Sequence, residues 1–175
     1  MVTFLEPEKI IEQLNLKQDC RAAEFGCGPG EFTIALARVL PKGMVYALDI
    51  QEEPLSALMG KARSEGLLNI KIIECDIEEP KGSTLQDDSL DLILVTNILF
   101  QSDQKKEMLR EAKRILKPKG KIVVIDWKKD SPFGPEQNRV SLEEIEKLMR
   151  LELDIRLTEE IEAGTYHWAA IFEKK

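Results

Sequence analysis

The sequence predicts an α/β fold built on a mostly parallel sheet, and three observations carry that prediction. Short apolar runs alternate along the chain with segments whose apolar residues recur at helical spacing. Residues 90–95 (Leu-Asp-Leu-Ile-Leu-Val) form a nearly continuous apolar run, as expected of a central strand covered on both faces. The apolar stretch Ala22, Ala23, Glu24, Phe25 opens onto glycines at every second position, Gly26, Gly28 and Gly30, followed by a helix-like segment. Without a Cβ, glycine lets the backbone turn sharply and approach a bound molecule closely, so this turn reads as a ligand site.

The elements follow in order. Pro7 opens a short leading helix over 7–14 with Ile10, Ile11 and Leu14 on one face. A strand over 21–25 leads through the glycines into a helix over 31–40, ended by Pro41-Lys42-Gly43. A second strand, 44–48, places Asp49 at its carboxyl end, and a helix over 53–65 stops at Gly66. A third strand, 70–75, precedes Asp76 and Ile77; the loop 80–89 is rich in Pro, Gly, Ser and Asp. After the central strand come Thr96 and Asn97, then a helix over 103–117 with Met108, Leu109, Ala112, Ile115 and Leu116 as its stripe. A fifth strand covers 120–126 and a polar loop 127–140. Ser141 and Glu144 read as a capping box opening the last helix. Two strands, 153–159 and 166–172, close the chain around Ala163-Gly164-Thr165.

Charge narrows the ligand of the glycine turn. The dinucleotide fingerprint G-x-G-x-x-G fails in both registers, at Glu31 and at Thr33, and the Gly-Lys-Ser/Thr of a phosphate loop is absent. Glu24 and Glu31 flank the turn, so a pyrophosphate would meet like charge. A ligand with ammonium and sulfonium groups and no phosphate suits them better.

The run Glu24-Phe25-Gly26-Cys27-Gly28-Pro29-Gly30 resembles the first motif of the class I S-adenosylmethionine-dependent methyltransferases, an acid, one residue, then G-x-G-x-G. Asp49 after its strand resembles the second motif, Glu74-Cys75-Asp76-Ile77 the third, and 91–95 followed by Thr96-Asn97-Ile98-Leu99 the fourth. Residues 114–121 (Arg-Ile-Leu-Lys-Pro-Lys-Gly-Lys) resemble the turn before the family's fifth strand. The resemblance covers nearly the whole chain and is nearest to the compact branch that includes quinone-biosynthesis methyltransferases. It implies a Rossmann-like three-layer sandwich, a seven-stranded mostly parallel sheet with the last strand inserted antiparallel. It also implies S-adenosylmethionine as cofactor, with Glu24, Gly26, Cys27, Gly28, Gly30, Asp49, Ile50, Asp76, Ile77 and Asn97 around it. Asp49 would accept from two ribose hydroxyls and Asp76 from the adenine amino group, with Ile50 and Ile77 against the adenine faces. Core packing is the alternative for both isoleucines.

The pattern departs from the family at the methyl-transfer site, where many small-molecule members carry a histidine pair and this chain has Phe100 and Gln101. Asn97 is not followed by Pro-Pro and an aromatic, the pattern of many methyltransferases acting on planar amino groups. No acid and base stand at a diagnostic spacing, and Asp126 is the one weak candidate base. Trp127, Lys128, Phe133 and Arg139 are candidate substrate contacts, and His167 reads as structural. The expected reaction is methyl transfer to a small molecule. The alternatives are a protein or RNA acceptor with a partner's help, a non-catalytic binding module and a nicotinamide-dependent oxidoreductase, against which Glu24 argues.

At 175 residues one domain is expected: a leading segment 1–20, a cofactor core 21–126 and a substrate-side loop, helix and hairpin 127–175. Cys20, Cys27 and Cys75 are an odd set without C-x-x-C spacing, and His167 is the sole histidine, which points to a reducing compartment and no structural zinc. Neither a secretory leader nor an apolar run of about 20 residues is evident, so a soluble cytoplasmic protein is expected. A net charge of −7 gives no strong nucleic-acid signal, and the cations Lys105, Lys106, Arg110, Lys113 and Arg114 read as the solvated face of one helix.

Overall fold

The computed structural model describes residues 2–175. One sheet of seven strands runs in the order β3-β2-β1-β4-β5-β7-β6. Its strands are β1 Arg21–Phe25, β2 Met44–Asp49, β3 Ile70–Glu74, β4 Leu90–Thr96, β5 Leu116–Trp127, β6 Ile155–Ile161 and β7 His167–Lys174. Pairings among β1 to β5 are parallel, and β7 lies antiparallel to both β5 and β6. Helices α1 Pro7–Gln13, α2 Glu31–Val39, α3 Glu52–Ser64, α4 Lys105–Ile115 and α5 Leu142–Glu152 cover the two faces. Among the described residues no helix is long and apolar enough to cross a membrane.

Strand alternation divides the core in two. Phe25, Leu48, Ile93, Val95, Ile122 and Val124 pack with α4 and α5. Their sequence neighbours Val45, Leu92, Leu94, Val123 and Ile125 pack with α1 and α2. β4, at the centre, is buried along nearly its whole length, as its continuous apolar run requires. Ser141 and Glu144 form the expected capping box, with Ser141 N–H donating to Glu144 Oε2 at 2.7 Å and Glu144 N–H to Ser141 Oγ at 3.2 Å.

Two features differ from expectation. The helix expected to reach residue 117 ends at Ile115, because Leu116 turns extended and pairs with Leu90. The next pair is Leu92 with Lys121, so residues 117–120 bulge out of the ladder, with Lys119 left-handed at φ 65° and Lys117 bound to Asp91 at 2.7 Å. Nor are the cations of α4 uniformly solvated. Lys106 reaches Glu152 and Arg110 pairs with Glu107 at the surface, but Arg114 is 18% exposed and lies against Glu111, 4% exposed. Arg114 also bonds Asp87 at 2.5 Å and the Leu85 carbonyl at 2.8 Å. Burial pushes the Glu111 carboxyl up, but the bonds from Arg114 and Ser83 outweigh it and hold its pKa below the usual value. This network fastens the loop before β4 onto α4, a tertiary role that helical spacing cannot reveal.

Candidate cofactor-binding site

The carboxyl ends of β1, β2, β3 and β4 open onto one cavity of about 390 Å³. Open α/β sheets bind ligands at this end, near the point where strand order reverses, here between β1 and β4. The glycine turn after β1 forms one wall. Gly28 and Gly26 line it, the Gly28 N–H donates to Asp49 Oδ2 at 2.9 Å, and the Cys27 N–H donates to the Leu48 carbonyl at 3.0 Å. A Cβ at Gly28 would meet nothing within 4 Å, so this backbone faces open space. Gly30 serves differently. It is left-handed at φ 82°, and a Cβ there would lie 2.3 Å from Leu58 Cδ1 on α3, so it permits close helix packing beneath the turn.

Asp49 is held on both oxygens, by Gly28 N–H on Oδ2 and by Gln51 N–H at 3.0 Å on Oδ1. Each oxygen keeps a lone pair for a ligand hydroxyl. Asp76 is fixed likewise, its Oδ1 accepting from the Glu78 N–H at 2.9 Å. Asp49, Asp76 and Glu78 line the cavity together with Ile50, Ile77, Cys75 and Asn97. No Lys or Arg side chain stands among its lining residues. Burial pushes the Cys75 thiol up to about 11, so it stays protonated.

Of the ten residues expected around a cofactor, seven thus line the cavity: Gly26, Gly28, Asp49, Ile50, Asp76, Ile77 and Asn97. Glu24, Cys27 and Gly30 lie beneath the turn. The alternation of β1 points Glu24 to the α2 face, where it is 3% exposed and accepts from Thr33 Oγ1 at 2.5 Å. Burial pushes its pKa up to about 8; the Thr33 hydroxyl and amide oppose the rise, and the Asp49 and Glu31 charges add to it. The acidity of the cavity wall therefore comes from Asp49, Asp76 and Glu78 rather than from Glu24 and Glu31. Cys27 is buried, and desolvation keeps its thiol protonated.

The opposite wall comes from the turn after β4 and the start of α4: Asn97, Ile98, Gln101, Ser102 and Met108. Glu78, Ser102 and Met108 had not been singled out as ligand-facing. Glu78 and Ser102 sit on irregular backbone without a motif, and Met108 belongs to a helical stripe that by itself reads as core. Asn97 is left-handed at φ 52°, and its Oδ1 is buried with no hydrogen-bond partner. The Asp126 side chain is wholly buried below this wall.

The candidate substrate contacts of the β5–α5 loop are placed beyond β5. Arg139 spends its guanidinium on the carbonyls of Pro135, Lys128, Lys129, Ser131 and Phe133, so it latches the loop. Trp127 lies against His167 with ring centroids 4.0 Å apart. Burial, with a smaller contribution from Lys128, lowers the His167 pKa to about 4, and both its nitrogens lack partners. The imidazole is therefore neutral near pH 7.

This arrangement recurs in known proteins. A family model described as a methyltransferase domain matches residues 16–170. The demethylmenaquinone methyltransferase of Geobacillus kaustophilus is 30% identical over 135 residues, which make up 74% of this chain and 55% of that protein. That of Bacillus subtilis is 28% identical over 131 residues, again 74% and 55%. The chain thus spans about half the length of the curated relatives it matches. Among solved structures, a SAM-dependent methyltransferase from Aquifex aeolicus superposes with a TM-score of 0.88 at 27% identity, covering 98% of this chain and 91% of that one. On the family match, the sheet order and the glycine turn together, the chain belongs to the class I S-adenosylmethionine-dependent methyltransferases.

Proposed function

We propose that this chain transfers the methyl group of S-adenosylmethionine to a small-molecule acceptor. One observation carries the reading: the cavity at the carboxyl ends of β1 to β4 has three carboxylates, Asp49, Asp76 and Glu78, and no cation in its lining. A cationic nucleoside without phosphate is the ligand such a wall favours, and a pyrophosphate is one it repels. Asp49, oriented by two backbone amides, accepts from ribose hydroxyls. Asp76 accepts from the adenine amino group, Ile50 and Ile77 lie along the base, and the open backbone at Gly28 lets the ligand approach closely. Glu24 supports the turn from the α2 side.

When bound, S-adenosylmethionine supplies an electrophilic methyl on a sulfonium whose leaving group is a neutral thioether. What remains for the protein is to orient the reactants and exclude water. Gln101, Ser102, Ile98 and Met108 form the wall suited to that work. The relatives named demethylmenaquinone methyltransferases support an aromatic small molecule as acceptor. The test is incubation with S-adenosylmethionine and dihydroxynaphthalenes, with S-adenosylhomocysteine and the methylated product both followed by mass spectrometry. Formation of the two in equal amounts is expected. Saturable binding without turnover on any small acceptor would favour the non-catalytic module instead.

A further inference from the structure

Asp126 ends β5 on the sheet face that α4 and α5 cover, since Ile122 and Val124 belong to that core while Val123 and Ile125 belong to the other. Its side chain is fully buried. Oδ1 accepts the Trp127 N–H at 2.8 Å, and Oδ2 has no partner. An unpaired buried oxygen costs on the order of 1–3 kcal/mol, so packing alone does not account for a carboxyl group here.

The groups that face it belong to the cavity wall. The Leu99 and Phe100 amides act on it from the turn after β4, and Lys105 acts from the start of α4. Trp168 of β7 is its cross-strand partner and brings no charge. Lys105 also donates to the Ser102 carbonyl, and Gln101 Nε2 donates to the Asn97 carbonyl at 3.2 Å. Asn97, Gln101 and Ser102 all line the cavity. The carboxyl group therefore sits behind the wall, within reach of the backbone and the cation that shape it.

We propose that Asp126 is a positioning residue for the ligand cavity: as a carboxylate it holds the 97–102 turn in place through the Leu99 and Phe100 amides and Lys105, and its protonation loosens that wall. The inference rests on the cofactor reading above. Burial raises the Asp126 pKa to about 6, against the opposing pull of the Trp127, Leu99 and Phe100 amides and Lys105, so the change falls in a mildly acidic range. Cofactor affinity then declines as pH falls through that value, because the protonated side chain no longer attracts the amides or the ammonium.

The experiment is calorimetric titration with S-adenosylhomocysteine at about pH 5, 6 and 7.5, on the intact protein and on Asp126→Asn and Lys105→Met. In the intact protein, affinity is expected to weaken about fivefold to tenfold from the highest pH to the lowest. In Asp126→Asn that component is absent, and affinity stays near the weak acid value throughout. In Lys105→Met, where the carboxylate loses its cation, the midpoint moves to higher pH. Ionisations of Asp49, Asp76 and Glu24 are common to all three proteins and cancel in the comparison. An unchanged profile in Asp126→Asn overturns the inference. Should Asp126→Asn fail to fold by thermal melting, an unmoved midpoint in Lys105→Met does the same. Absence of binding by the intact protein at every pH overturns the cofactor reading and this inference with it, whereas binding with identical profiles overturns the inference alone.

Discussion

The turn after β1 and the turn after β4 face each other across one cavity and are built in opposite ways. The first is closed by its own backbone: Gly28 donates to Asp49, Cys27 to Leu48, and the Gly30 N–H to the Cys27 carbonyl at 2.9 Å. Around the second, buried polar atoms stand without partners, at Thr96 Oγ1, Asn97 Oδ1 and Asp126 Oδ2. A wall that satisfies its own hydrogen bonds is preorganised for a ligand, while one with spare acceptors is able to adjust as the ligand arrives. On the proposed function, the first wall grips the donor and the second meets the acceptor.

Four substitutions sharpen or break this contrast. The largest effect is expected at Gly30→Ala, which combines a left-handed backbone with Leu58 crowding; it should cost about 3 kcal/mol of stability, read as a drop in Tm. Asp49→Ala should leave Tm nearly unchanged and weaken S-adenosylmethionine binding about a hundredfold, because two hydrogen bonds to a charged group are lost. An unaltered affinity in that variant would remove Asp49 from the site.

The next effect is on the pH dependence of stability. With the Glu24 pKa raised from 4.5 to about 8, the folded state holds a proton that the unfolded chain releases, so this group's contribution is fully present below about pH 4.5 and is lost as pH rises through 8. Melting of the intact protein followed from about pH 5 to 8 should show that loss, and Glu24→Gln should flatten it. The smallest effect belongs to the second turn. Asn97 already holds φ 52°, so Asn97→Gly should shift stability by less than about 1 kcal/mol, in contrast to Gly30→Ala.

The same contrast explains what the sequence made legible. β1 is expected over 21–25 and found there, and β2, β3 and β4 depart from expectation by a residue at one end, because an apolar run bounded by glycine or aspartate has few other ways to fold. The glycine turn and its partners Asp49 and Asp76 were legible for a related reason, since close backbone approach and fixed carboxylates demand particular residue types. The second wall was not. Gln101 and Ser102 lie on a short 3-10 turn and its end, Met108 serves the core and the cavity at once, and the burial of Asp126 depends on the Leu99–Gln101 turn folding over the end of β5. The bulge at 117–120 and the buried Arg114–Glu111 pair depend on contacts made by distant parts of the chain, which local periodicity does not encode.

The most direct test of the central claim is calorimetric titration of the intact protein with S-adenosylmethionine, S-adenosylhomocysteine and NADH, with Asp49→Ala alongside. Saturable one-site binding of the first two, weakened in the variant, with none for NADH is the predicted result. Binding of NADH, or failure of both sulfur nucleosides to bind, would contradict the assignment of the β1–β4 cavity to a phosphate-free cationic nucleoside.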